Sequence, residues 1–201
     1  MSGKPNVIIL SGFLGSGKTT VLMQLIGRMR ERLGDECRIA IIENEIGSAS
    51  VDSSIIEDAG YSVTEMLSGC VCCTLIGQLV PALNKLADEM NPQLVILEAT
   101  GMATPDSMRE NIERYGGYPT RIVTLVDASR WERIRRALQI LLEAQVEPAD
   151  IICLNKTDLA SEDELAAIEE SVREINATAP IARISAASPV SVDVLDEVLG
   201  A

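Results

Sequence analysis

Gly12 to Thr20 read GFLGSGKTT, a run whose residue types suit the capture of a phosphate chain. Glycines let backbone N–H groups turn inward at a helix N-terminus, a Lys supplies a cation for β and γ phosphates, and a hydroxyl on the next residue ligates magnesium. Gly12, Gly15, Ser16, Gly17, Lys18, Thr19 and Thr20 are therefore the phosphate-binding candidates, with Lys18 and Thr19 also catalytic. Asn155 to Asp158 read NKTD. A carboxylate at Asp158 can accept from both N1–H and the exocyclic amine of guanine, donors that adenine lacks, so Asn155, Lys156 and Asp158 favour GTP over ATP. Ser185 and Ala186, after the next apolar run, are candidates for a second base contact.

Two segments between these motifs suit reading of the γ-phosphate. Glu98 to Gly101 read EATG, where Glu98 can hold a magnesium-bound water as the third catalytic candidate and the Gly101 N–H can reach the γ-phosphate. Glu43 to Asp52 read ENEIGSASVD, acidic enough to serve magnesium through Asp52 or a second metal through Glu43. That second metal has a more distinctive set of ligands in GCVCC, where Cys70, Cys72 and Cys73 offer three thiolates within one turn of chain. Thiolates select zinc and other thiophilic ions, and three protein ligands leave a fourth position for a carboxylate, water or a partner. Cys37 and Cys153 read instead as small buried hydrophobes.

The elements that must carry these groups alternate. Val7 to Leu10, Arg38 to Ile42, Leu94 to Leu97, Ile122 to Val126 and Ile151 to Leu154 are short apolar strands separated by helical segments, which predicts βαβ units and a parallel sheet with helices on both faces. Leu22, Ile26, Met29 and Leu33 form the stripe of the helix after the glycine loop, and Leu165, Ile168, Val172 and Ile175 that of a later one. Thr104 before Pro105 reads as a helix start, and Ser129 with Glu132 and Ser161 with Glu164 have capping-box spacing. Pro81 interrupts the helical pattern of Leu75 to Met90 and marks a kink or a true first turn.

Composition agrees with a single α/β domain over the 201 residues: 47% hydrophobic, 23% charged and only 2% aromatic. Seventeen Lys and Arg against thirty Asp and Glu give a net charge of −13 with no compensating basic run, which argues against nucleic acid as a partner. Histidine is absent, so no imidazole is available as general base or metal ligand. Odd, clustered cysteines and an N-terminus without signal-peptide anatomy point to the cytoplasm, and no apolar run is long enough to enter a membrane as a span.

GFLGSGKTT, ENEIG, GCVCC, EATGMATP and NKTDL, in this order, resemble the nucleotide-binding domain of the CobW-type G3E GTPases, relatives of the hydrogenase and urease nickel-insertion GTPases. The resemblance spans nearly the whole chain. It implies a SIMIBI-like P-loop fold and a metal-trafficking GTPase that cycles between GTP and GDP with Mg2+. It also implies a cysteine motif that binds Zn2+, Co2+ or Ni2+, and a Glu98 standing where Ras-like proteins carry an aspartate. Its clients would be metalloproteins or corrinoid proteins, with a homodimer as a further expectation. Two departures stand out. The family reads NEFGE where this chain has Asn44, Glu45, Ile46, Gly47 and Ser48, and the sequence stops after Val190 to Leu199 without the family's C-terminal domain or histidine-rich tract.

With no histidine to activate water and no glutamine directly after EATG, hydrolysis is expected to be slow and stimulated by a partner or by dimerisation. Two other functions share the phosphate cradle. One is a small-molecule kinase, for which Arg109 and Arg114 could serve a closing lid, and the other is a non-catalytic module sensing metal or redox state through GCVCC.

Overall fold

The computed structural model describes residues 3–34, 37–43, 63–65, 74–99 and 104–200. Among these described residues seven strands, all paired in parallel, form one sheet: β1 (Asn6–Gly12), β2 (Ile39–Glu43), β3 (Val63–Glu65), β4 (Leu94–Glu98), β5 (Thr120–Asp127), β6 (Ile151–Asn155) and β7 (Ile181–Arg183). Their spatial order is β3-β2-β4-β1-β5-β6-β7. Helices α1 (Lys18–Leu33), α2 (Thr74–Met90), α3 (Pro105–Asn111), α4 (Trp131–Val146), α5 (Glu162–Ile175) and α6 (Val192–Leu199) cover the sheet.

Both faces are buried, which is why the central strands are almost continuously apolar. Alternation along β1 sends Val7 and Ile9 to one core and Ile8 and Leu10 to the other. The first core is closed by Leu79, Leu83 and Leu86 of α2, Leu142 of α4 and Leu165, Ile168 and Val172 of α5. The second is closed by Val21, Leu22, Leu25 and Ile26 of α1 with Leu195 and Val198 of α6. The α1 stripe therefore differs in its last turn from the sequence expectation, with Leu33 39% exposed. Cys153 is fully buried within the second core, and Cys37 is half-buried against it.

Three local expectations are settled by specific competitors. Ser161 and Glu164 do form a reciprocal capping box at α5. Ser129 does not cap α4, because a 3-10 turn over Ala128–Arg130 intervenes and Asp127 accepts from the Ser129 amide instead, while Glu132 pairs forward with Arg136. Pro81 lies inside α2 rather than at its first turn, on an exposed position of the helix. The short strands β3 and β7 add to the five apolar runs legible in the sequence.

Candidate functional site

In a doubly wound parallel sheet the groups that end strands at their carboxyl edge face a common crevice. Here that edge carries Gly12 ending β1, Glu98 ending β4, Asp127 ending β5 and Asn155 ending β6. Register places Glu43 of β2 level with Glu98, and Asp127 level with Asn155. The sheet thus brings the glycine loop, EATG and NKTD to one end.

The glycine loop is shaped by close approach. Gly12 has φ 134° and a Cβ there would lie 2.4 Å from the Leu125 carbonyl oxygen; Gly17 has φ 100° and its Cβ would lie 2.3 Å from Asn155 Nδ2. Both positions reject any side chain on steric and dihedral grounds. Gly17 caps α1, so the first helical amides emerge directly from the loop. Lys18 is only 6% exposed; its Nζ donates to the Gly12 carbonyl at 3.1 Å and stands 3.9 Å from Glu98 Oε1. Thr19 follows half-buried and Thr20 exposed. Ser11 and Ser16 have fully buried hydroxyl oxygens with no hydrogen-bond partner among the described residues. A buried hydroxyl without a partner costs about 1–3 kcal/mol, so the Ser16 side chain fits a cradle that takes up an oxyanion.

NKTD is tied to this loop by side chains. Asn155, 2% exposed, donates from Nδ2 to the Ser16 carbonyl at 2.7 Å and accepts at Oδ1 from the Ala186 amide at 2.9 Å. Asn155 is thus a brace between the glycine loop and the loop after β7. Asp158 is exposed, and its Oδ1 accepts from Ser185 Oγ at 2.5 Å, which orients the carboxylate proposed to read guanine. Lys156 sits in the left-handed region at φ 62° and its Nζ donates to Asp127 Oδ2 at 2.8 Å.

Two positioning residues escaped the sequence reading. Gln24 of α1 donates to the Ala186 and Ser188 carbonyls at 3.0 and 3.2 Å and accepts from the Val190 amide at 2.8 Å, so it pins the Ser185–Ala186 loop to the first helix. Asp127 has no exposed side-chain surface and accepts from Ser129 N, Ser129 Oγ, Arg130 Nε and Lys156 Nζ. Burial pushes its pKa up, but hydrogen bonds from Lys156, Ser129 and Arg130 outweigh this and hold it below the usual carboxylate value. An acidic residue ending a buried strand was the signal available for it. Burial pushes the Cys153 thiol up to about 12, which keeps it protonated and inert.

The remaining expected positions fall elsewhere. Arg109 pairs with Asp106 and with Asp150, the residue just before β6, and Arg114 pairs with Glu110 shortly before β5. Both arginines therefore lie toward the amino edge of the sheet, away from the glycine loop, and do not form the lid a kinase would need. Asp52, Cys70, Cys72, Cys73, Gly101 and the side chain of Glu43 lie outside the described residues.

Residues 6–183 match the family of CobW/HypB/UreG nucleotide-binding domains. The chain belongs to that family. It is 34% identical over 185 residues to the zinc chaperone YjiA of Escherichia coli, a match covering 87% of this chain and 56% of that protein. It is 32% identical over 219 residues to zinc-regulated GTPase metalloprotein activator 1 of Dictyostelium discoideum, covering 88% of this chain and 45% of that protein. The chain spans about half the length of the curated relatives it matches. Among solved structures, the hydrogenase maturation factor HypB from Archaeoglobus fulgidus shares the fold with a TM-score of 0.69 at 18% identity, over 98% of this chain and 90% of that one. The signal recognition particle receptor FtsY from Elizabethkingia anophelis, in complex with GDP, does so with a TM-score of 0.64 at 14% identity, over 98% and 64%. The CobW/HypB/UreG assignment agrees with the resemblance carried by the motifs. Among the described residues no helix is long and apolar enough to cross a membrane.

Proposed function

We propose that residues 1–201 form one P-loop GTPase domain acting as a metallochaperone switch, in the cytoplasm, for a thiophilic divalent ion. The observation that carries the nucleotide reading is the Asn155 brace, which sets the Asp158 loop beside the phosphate cradle at Ser16. Guanine would be read by Asp158, oriented by Ser185, with the Ala186 loop alongside. The phosphates of GTP would lie on the amides of Gly15 to Thr20, with Lys18 moving from the Gly12 carbonyl to the β and γ phosphates. Thr19 and Glu98 fit a magnesium site because both stand beside Lys18 at the loop, and Asp52 and the Gly101 amide complete it in this reading. Magnesium would supply charge neutralisation for phosphoryl transfer. The sequence has no histidine to activate water, so turnover would be slow and would rise with a partner or a second copy of the chain.

Zinc, or cobalt or nickel in its place, would be held by Cys70, Cys72 and Cys73 with Glu43 as an oxygen ligand, and would pass to a client metalloprotein or corrinoid protein. The names of the zinc chaperone from Escherichia coli and the zinc-regulated activator from Dictyostelium support this choice of cargo. The position of Glu43 at the carboxyl edge, level with Glu98, supports a link between metal and nucleotide. Reciprocal coupling of roughly 1–3 kcal/mol would change either affinity by about 5- to 150-fold. The test is a chelator-buffered zinc titration of the parent and of a triple Cys→Ser variant, with a nonhydrolysable GTP analogue, GDP or no nucleotide. The reading expects tight binding of one ion, lost in the variant, and nucleotide-dependent affinity in the parent. Full zinc affinity in the variant would refute the cysteine site, and three equal affinities in the parent would refute the coupling. Phosphate release from GTP with Mg2+ checks the enzymatic half, and no release under any condition would refute it.

A further inference from the structure

Asp127 is a buried carboxylate with every acceptor direction used, yet none of the motifs at the site includes it. Its Oδ1 takes both bonds from Ser129, at 3.1 Å from the amide and 2.6 Å from the hydroxyl, and its Oδ2 takes Arg130 Nε at 2.6 Å and Lys156 Nζ at 2.8 Å. The two cations lead in different directions. Lys156 belongs to NKTD, on the base side. Arg130 reaches the other way, and its second terminal nitrogen donates to the Leu14 carbonyl of the glycine loop at 2.8 Å. The same guanidinium lies over Gly15, where a Cβ would come within 3.2 Å of it. Gly15 and Leu14 are exposed, and Leu14 is 75% so, which leaves this crest of the loop with little packing of its own.

We propose that Arg130, anchored on Asp127, is a positioning residue that straps the crest of the glycine loop through the Leu14 carbonyl. Asp127 then holds the phosphate loop and the base loop on one buried charge. The inference rests on the reading of Gly12 to Thr20 as a phosphate cradle. A guanidinium can do this because its planar fork offers donors on opposite ends, one committed to a carboxylate and one to a carbonyl. A Lys has one nitrogen and cannot reach both with the same directions. The strap fixes the loop's carbonyl outward, leaving its amides to turn inward to an anion, so its loss raises the conformational freedom that binding must remove.

The test compares GDP with guanosine, which lacks the phosphates, in the parent, Arg130→Ala and Arg130→Lys. GDP affinity is read from a fluorescent GDP analogue and guanosine affinity from its competition with that analogue. Arg130 is partly exposed on a surface turn, and a melting scan without nucleotide accompanies each variant. The strap predicts that Arg130→Ala weakens GDP by about ten-fold, the scale of one hydrogen bond to a charged group. It leaves guanosine within about two-fold, and Arg130→Lys behaves like Arg130→Ala. GDP affinity unchanged within two-fold would overturn the proposal. So would equal losses for GDP and guanosine, which would mean general loosening, or full rescue by Arg130→Lys, which would mean that charge alone suffices. A parent that prefers adenine nucleotides would refute the guanine reading and leave this comparison intact, read with ADP against adenosine.

Discussion

The two halves of the carboxyl edge are finished differently. On the base side, the Asn155 carboxamide has both ends engaged, Asp158 is oriented by Ser185, Asp127 is saturated, and Gln24 bonds three backbone groups of the loop that carries Ala186. On the phosphate side, Ser11 and Ser16 have buried hydroxyls without partners among the described residues, and Lys18 satisfies its charge on the Gly12 and Phe13 carbonyls with Glu98 nearby. The base side is a frame whose polar groups are consumed by the fold, so it is preorganised before any ligand arrives. The phosphate side keeps polar capacity in hand, which in the proposed reading an anion would take up. Stability should therefore depend mainly on the first half and phosphate affinity on the second, with base selectivity left to the exposed Asp158.

Gly17→Ala attacks the point where the halves touch. A Cβ at 2.3 Å from Asn155 Nδ2, at φ 100°, forces the loop and the brace apart. Strain of about 3 kcal/mol corresponds to roughly a hundred-fold loss in affinity. Titration with a fluorescent GDP analogue should show at least that loss, and near-parental affinity would mean that the loop does not close on Asn155. Asn155→Ala leaves the Ser16 carbonyl and the Ala186 amide without their buried partner. It should cost about 2–4 kcal/mol in urea unfolding without nucleotide. A cost below 0.5 kcal/mol would contradict the frame.

The order of these effects bears on how much could be read from the chain alone. The alternation of strands was legible because strands buried on both faces leave continuous apolar runs, and the glycine loop and NKTD were legible because each packs its chemistry into a few adjacent residues. The frame was not. Gln24 sits on α1, where its amide reads as one more half-buried polar residue, and its partners at Ala186, Ser188 and Val190 are fixed only when α1 and the last loop share a face of the sheet. Ser129 with Glu132 had capping-box spacing, but Asp127 lies two residues from Ser129, is held by Lys156 just after β6, and claims the amide first. Pro81 sits within α2 on an exposed face, where sequence spacing could not decide between a kink and a start.

Acid should act on the frame through Asp127. Its folded pKa is below the unfolded value, so its contribution is fully present above the ordinary carboxylate range and is lost as pH falls through the lowered folded value. The stability gap between the parent and Asp127→Asn, measured by urea unfolding from pH 7 downward, should be full at neutral pH and should narrow only as pH falls below the ordinary carboxylate range towards the lowered folded value. A gap that widened in acid would reverse the sign of this assignment. Gln24→Ala should have the smallest effect, because its partners are partly exposed and water can replace it. The expected cost is about 0.5–1 kcal/mol in stability with a few-fold loss of guanine affinity. A ten-fold loss would move Gln24 from support to direct recognition.

The division of labour between frame and cradle is tested most directly by competition of GTP and ATP for the parent and for Asp158→Ala. Asp158 is exposed and carries no core packing, so its removal should leave melting within a few degrees of the parent. A site built for hydrogen bonds discriminates strongly because the wrong base leaves polar groups unpaired. The parent should therefore prefer GTP by roughly a hundred-fold or more. Asp158→Ala should bind the two nucleotides within a few-fold of each other, with ATP affinity little changed because the cradle is intact. Equal affinities of the parent for GTP and ATP, or a variant that keeps the parental preference, would contradict the assignment of base recognition to the Asp158 loop.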